Sequence, residues 1–268
     1  MNSKTIMIGI PSKGRPEYIT KKTLKYLEGF TDYEVKVFVE PQDAYLYRYW
    51  CGRERIVVLP ENDRGVMFAY NHIRQYARGS GYKYLLHLDD DVDGLIRADN
   101  DDLHESLRMT VNDILRQFEG DPILGGVRFT QYRFWVYSKN ALKRFTHLNP
   151  LLQGNCIVRL GAVPTIDTRM SEFTDTVMTM YLWAAKYYTL NYGLAGLKVV
   201  QNANPGGCQM RDRKADGELT IELMKQTFPK VKEKGSGSWF GIDIDVSEYL
   251  LPRYQVLQAD HKLNQQKN

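Results

Sequence analysis

Tyr82 to Asp93, Tyr-Lys-Tyr-Leu-Leu-His-Leu-Asp-Asp-Asp-Val-Asp, is the stretch that most constrains this chain. Tyr84, Leu85, Leu86 and Leu88 form an apolar run of the length of a buried strand, and Gly79, Ser80 and Gly81 punctuate its start. The run stops abruptly at Asp89, Asp90, Asp91 and Asp93. Carboxylates packed this closely repel one another unless positive charge sits among them. A hard divalent cation, Mg²⁺ or Mn²⁺, suits such oxygen ligands, and Mg²⁺ is usually held by one or two carboxylates together with substrate phosphates. The stretch therefore predicts a strand whose end offers a cation to a diphosphate. A solvated acidic loop is the plain alternative. A calcium loop is a third: Asp89, Asp91, Asp93 and Gly94 fit D-x-D-x-D-G, but Asn100 stands where a bidentate Glu is needed.

Segments on either side give the stretch a frame. Thr5 to Ile10, Glu34 to Val39 and Ile56 to Leu59 read as strands, and Tyr18 to Leu27 and Val66 to Arg78 have helical spacing. Strands alternating with helices across short loops predict an α/β fold, a mostly parallel sheet with helices on both faces. Ligands of such sheets lie beyond the carboxyl ends of the strands. Ser12, Lys13, Arg15, Glu40, Arg64 and Asp89 all fall at those ends.

Further along, Leu103 to Phe118 has an apolar helical face. Gly125 to Tyr137 interleaves aromatic and basic residues, including Arg128, Tyr132, Arg133 and Trp135. It reads either as an antiparallel strand pair at a sheet edge or as a surface where cations meet phosphates and rings stack on bases or sugars. Thr174 is placed to cap a long helix reaching Tyr188, with Asp175 in its first turn. Leu197 to Gln201 reads as a late strand, Asn202 to Gly217 as a basic loop carrying Arg211, Arg213 and Lys214, Ile221 to Phe228 as a short helix, and Lys230 to Ser238 as a lid or linker. The expected division is 1–120 for an α/β half and 121–268 for a second half of the same domain ending in mobile loops.

Composition bounds the setting. The 268 residues are 43% hydrophobic and 25% charged, ordinary for a globular chain. Three scattered cysteines suggest no disulfide framework and no zinc cluster, so a reducing, cytoplasmic setting is expected. No signal peptide or membrane-length apolar run is visible. A net charge of +4 permits an anionic partner.

The order of these motifs resembles the GT-A glycosyltransferases: a first strand ending in a small polar loop, an Asn-Asp-Arg-Gly loop before a helix containing Asn71, a strand ending in Asp-Asp-Asp, and an acidic pair at a late helix start. The ordered set spans roughly the first two-thirds of the chain. Pro11 to Pro16, Pro-Ser-Lys-Gly-Arg-Pro, is similar to the start of phage glycosyltransferases that decorate hypermodified DNA pyrimidines, the TET-associated type. The resemblance implies a GT-A-like fold with a smaller mixed acceptor region, a nucleotide-sugar donor (a UDP-sugar), and Mn²⁺ or Mg²⁺. Pro11, Ser12, Arg15 and Glu40 would surround base and ribose, with Lys13 and Asp90 on the same donor side. Asp89 would face the ribose or the metal, Asp91 would hold the metal, and Arg64 would meet the phosphates or the sugar. Asp175 is the expected acceptor base, with Glu172 second. Arg128, Tyr132, Arg133, Trp135, Arg211 and Arg213 would hold DNA bearing a 5-hydroxymethyl pyrimidine. Many relatives complete the metal site with a late histidine; Asn204 to Arg213 contains none, and His261 is a remote candidate. A glycan or lipid-linked acceptor, a nucleotidyltransferase and a non-catalytic binding module are the competing readings.

Overall fold

The structure, a computed structural model, describes residues 5–132, 145–148, 151–152, 154–199, 213–228, 231–234 and 241–244. Four strands of the first half, β1 (Ile6–Pro11), β2 (Glu34–Val39), β3 (Ile56–Val58) and β4 (Tyr84–His87), pair in parallel in the order β3-β2-β1-β4. The sheet continues through β8 (Cys156–Arg159), β6 (Leu124–Gln131), β9 (Tyr188–Val199) and β5 (Val92–Arg97), and β7 (Phe145–Leu148) also pairs with β9. From the pair directions, β5, β7 and β8 run against the other six, so the sheet is mixed but mostly parallel, as expected.

Alternation along the strands sorts side chains to two faces. Ile6, Ile8, Ile10, Val37, Val39 and Leu86 enter one core with α1 (Pro16–Lys21), α2 (Thr23–Tyr26), α3 (Ala44–Cys51) and α5 (Leu103–Gly120). Met7, Phe38 and Leu85 enter the other with α4 (Val66–Gly79), α6 (Thr174–Ala184) and α7 (Arg213–Thr227). Helices thus cover both faces. β10 (Val231–Lys234) and β11 (Gly241–Ile244) form a separate antiparallel pair, so the stretch read as a linker contains a strand.

Several local expectations are corrected. The helix read over Tyr18 to Leu27 is broken at Lys22 into α1 and α2. That break lets Lys22 reach Asp93 and sets Thr23 against the acid turn. Phe173, in the left-handed region at φ 51°, takes the cap position, and Thr174 is the first helical residue. α6 ends at Ala184 rather than Tyr188, because Lys186 turns left-handed and the following apolar run becomes the long strand β9, which begins well before Leu197. β6 lies between β8 and β9 instead of at an edge. α7 begins at Arg213, ahead of Ile221 and inside the stretch read as a loop. Val92–Arg97, which a calcium loop would need, is a strand.

Gly9 brings α4 close to the sheet. A Cβ there would stand 2.6 Å from Ile73 Cγ2 and 3.1 Å from Leu85 Cδ1, so only glycine permits this approach. We predict that Gly9→Ala costs about 1–3 kcal/mol by overpacking. In a thermal or denaturant double-mutant cycle, Ile73→Ala should offset part of that cost by at least about 0.5 kcal/mol. Strict additivity would contradict the contact.

Candidate active site

The carboxyl ends of β1, β2 and β4 meet at one cleft, with about 230 Å³ of room. Ser12, Lys13, Arg15, Glu40 and Asp89 to Asp91 line one side, with Pro11 beside them; Ser171, Glu172 and Thr174 line the other. Of the six residues expected to converge, Ser12, Lys13, Arg15, Glu40 and Asp89 line the cleft and Arg64 does not; Pro11, Asp90, Asp91 and Glu172 line it as well, and Asp175 is not among the lining residues.

The acid turn between β4 and β5 is gripped from three directions. From α2, the Thr23 hydroxyl donates to the Asp89 carbonyl at 2.7 Å and accepts from the Val92 N–H at 2.9 Å, so one buried side chain bridges the turn. From the segment before β8, Asn155 Oδ1 accepts the Asp89 N–H at 2.8 Å while its amide donates to Asp89 Oδ2 at 2.6 Å. Gly154 lies against the same carboxylate; a Cβ there would meet Asp89 Oδ1 at 2.9 Å. From the loop after β1, the Ser12 hydroxyl donates to Asp90 Oδ2 at 2.5 Å and Arg15 pairs with Asp90 Oδ1 at 2.6 Å. Tyr47 on α3 braces that loop, with its hydroxyl 2.7 Å from Ser12 Oγ and accepting the Arg15 N–H at 3.0 Å.

The four acids thus have different surroundings. Asp90 is buried and committed to Ser12 and Arg15, although burial still holds its carboxyl above the usual range. Asp93 turns away to Lys22 at 2.8 Å. Asp89 is pushed up to about 7, first by burial and then by Asp91, Asp90 and Asp175. Asp91 is pushed up to about 6 by burial and by Asp90, and its buried Oδ1 has no hydrogen-bond partner among the described residues. A buried carboxylate oxygen in that condition fits a cation. Among the described residues no three His, Cys, Asp or Glu side chains close around one point, so the turn offers one or two carboxylates rather than a complete protein cage.

The cleft's two cations are already engaged. Lys13 pairs with Glu40 at 2.9 Å and with Asp63, while Arg15 pairs with Asp90. Arg15 Nε is nevertheless buried without an acceptor among the described residues. Arg64 lies outside the lining, pairing with Glu61 at 2.6 Å and covering the Phe68 ring at 5.2 Å.

Asn71 carries the opposite wall. Its side-chain amide donates to the Ile166 carbonyl at 2.7 Å, and its Oδ1 accepts the Ile166 N–H at 3.2 Å and an Arg74 N–H at 2.6 Å. These bonds tie the approach to Ser171 and Glu172 to α4. Asp175, one residue beyond Thr174, lies electrostatically close to Asp89, Arg128 and Cys156; burial pushes its carboxyl up to about 6, against the pull of Arg128.

A polar row crosses the sheet beneath the cleft. His87, Cys156, Arg128 and Asn191 are successive register partners on β4, β8, β6 and β9. His87 is buried, held neutral with its pKa lowered to about 3 by burial and then by Arg74, and packed on Tyr70. Arg128 donates to Asn191 Oδ1 at 2.9 Å and to the Leu151 carbonyl at 3.2 Å, so part of its guanidinium serves the fold. Tyr132 receives Lys198 over its ring at 5.6 Å. Arg133, Trp135, Arg211 and His261 lie outside the described residues, as does most of Asn204 to Arg213; Arg213 opens α7.

Strand order, acid turn and cleft together define an α/β fold of GT-A-like architecture. The chain matches the family described as TET-associated glycosyltransferase over residues 6–206, and it belongs to that family. No curated protein matches it. Among solved structures it is similar to one titled "Crystal Structure of a Mycobacterial Protein", at 12% identity and a TM-score of 0.46, covering 90% of this chain and 83% of that one. No helix among the described residues is long and apolar enough to cross a membrane.

The raised carboxyls predict an unusual stability profile. Asp89 and Asp91 hold protons to about pH 7 and 6 when folded but to about 3.8 when unfolded, so the folded chain binds more protons in between. Stability should then fall as pH rises through that window. We expect the melting temperature of the metal-free protein to decrease from about pH 5 to about pH 7.5, and Asp89→Asn to flatten the decrease. A profile that climbs over the same interval would contradict the burial of these acids.

Proposed function

We propose that the protein transfers a sugar from a nucleotide-sugar donor, a UDP-sugar on the resemblance of its motifs, to a 5-hydroxymethyl pyrimidine in DNA, with Mn²⁺ or Mg²⁺ as cofactor. The observation that carries the donor side is the pair of waiting groups in one cleft. Among the described residues Asp91 Oδ1 has no hydrogen-bond partner and Arg15 Nε has no acceptor, Arg15 acts on Asp91 only through space, and the ammonium of Lys13 is already paired. A diphosphate entering here brings oxygens for Arg15 but needs further positive charge. A divalent cation held by Asp91, with Asp89 beside it, would supply it and would stabilise the leaving diphosphate without proton transfer.

The chain's own residues would do the rest. Ser12 and Arg15, braced by Tyr47, hold Asp90 and shape the donor floor. Pro11 and Glu40 complete the base and ribose side of the lining, and Arg64 stands at its margin. The acceptor hydroxyl enters from the wall bearing Ser171, Glu172 and Thr174. Asp175 takes its proton: a carboxyl near 6 is ionised at neutral pH yet more basic than an ordinary aspartate. Arg128 draws that carboxyl toward its ionised form, against burial. Family membership supports a modified DNA base as acceptor. A 5-substituent already projects into the major groove, so the base need not be fully extruded. The setting would be the cytoplasm, a phage-infected host's if the gene is a phage's.

The test is nucleoside-diphosphate release from a panel of nucleotide sugars, with Mn²⁺ or EDTA, with and without hydroxymethylcytosine-containing DNA. We expect release to require both metal and modified DNA, to fall at least about 100-fold in Asp91→Asn and in Asp175→Asn, and to rise as pH increases through about 6. Glu172→Gln should retain most turnover. Release of pyrophosphate would point to nucleotidyl transfer, and no release from any donor would overturn the reading.

A further inference from the structure

Helix α3 is apolar on both sides. Ala44, Tyr47 and Cys51 face inward, and Tyr47 grips Ser12 and Arg15. On the outside, at i, i+1, i+4 and i+5, stand Tyr45, Leu46, Tyr49 and Trp50, exposed to 80, 50, 76 and 43%. Tyr49 and Trp50 support each other edge to face at 5.6 Å between centroids. Single exposed apolar residues need no explanation, but four on two turns form a patch that water disfavours.

The charge around the patch selects its occupant. Arg48 on the helix and Arg53 and Arg55 just beyond it are exposed and have no ion pair among the described residues. The segment 44–55 holds three arginines against one acid, Glu54, a net of +2 by count. A second copy docked through the same face about a two-fold axis would set these arginines opposite one another, which is unfavourable. A polyanion with exposed ring faces meets both features at once: phosphates take the arginines and unpaired bases stack on Tyr45, Tyr49 and Trp50.

We propose that the outer face of α3, with Arg48, Arg53 and Arg55, is a docking platform for an unpaired DNA strand. The inference rests on DNA as the acceptor and adds a surface to that reading. The platform lies on the other side of α3 from Ser12, about one helix diameter, ~10 Å, from the donor loop. A strand held there would be anchored behind the donor loop, and a nucleotide several positions along it would reach the cleft from the wall of Ser171, Glu172 and Thr174.

The test uses the full chain and a short fluorescein-labelled oligothymidylate, which lacks the hydroxymethyl group. In fluorescence anisotropy, Tyr49→Ala with Trp50→Ala should weaken binding at least about tenfold. The triple variant Arg48→Gln, Arg53→Gln, Arg55→Gln should reduce the salt slope by roughly 2, about 0.7 per lost phosphate contact. A blunt duplex should be much less sensitive to the aromatic double variant. Because the altered residues are exposed, melting temperature and turnover on free hydroxymethyl-deoxycytidine should not change.

Unchanged oligothymidylate affinity, or no binding by the parent chain, overturns the proposal. So does equal sensitivity of the duplex. A dimer by light scattering that the double variant converts to monomer assigns the face to a second copy and likewise overturns it. Failure of the acceptor reading looks different: hydroxymethylated DNA stimulates no sugar transfer, while oligothymidylate binding still depends on Tyr49 and Trp50.

Discussion

Three adjacent carboxylates at the end of a buried strand are the constraint around which this protein is arranged. Burial and mutual repulsion both oppose their ionisation. The fold answers with a separate device for each neighbour. Ser12 and Arg15 take Asp90, Asn155 takes Asp89, and Lys22 draws Asp93 aside. Thr23 fixes the backbone between them. What is left is a turn whose shape is determined but whose charge is not fully answered, with the deficit concentrated on Asp91. A protein built only for stability would gain by replacing such a group, so its presence in a lined cleft is a functional signal.

The parts of the architecture that serve this turn come from distant places in the chain. Tyr47 reaches Ser12 across 35 residues, Asn155 reaches Asp89 across 66, and Asn71 reaches Ile166 across 95. Gly9 lets α4 sit close enough for Asn71 to hold the opposite wall. Donor floor, acid turn and acceptor wall are thereby tied into one sheet-and-helix frame. α3 occupies a special place in it, because its inner face secures the donor loop while its outer face presents rings and arginines to solvent.

Much of the first half was legible in the sequence because its signals are local. Short apolar runs bounded by Gly, Pro and Asp mark β1 to β4, and the alternation with helices implies that their carboxyl ends converge. Ser12, Lys13, Arg15, Glu40 and Asp89 therefore line one cleft, while Arg64, expected with them, stands outside it and pairs with Glu61. The second half was less legible. From Met178 to Val199 the chain is almost continuously apolar and aromatic, which suits a buried helix and a buried strand equally; only the left-handed Lys186 divides α6 from β9. Phe173 displaced Thr174 as the cap by adopting a conformation that no bulky residue advertises. Tyr47, Asn155 and Thr23 went unassigned because each acts through one long-range bond, and a single hydroxyl or amide has no periodicity to reveal it.

In the proposed chemistry Asp91 is the carboxylate left open for a cation, while Asp90 belongs to the fold. Paramagnetic resonance of Mn²⁺, titrated into the protein with and without uridine diphosphate, tests it most directly. Mn²⁺ should be held tightly only when the diphosphate is present, Asp91→Asn should abolish this joint binding with little change in melting temperature, and Asp90→Asn should mainly lower the melting temperature. Joint binding that survives Asp91→Asn unchanged would contradict it.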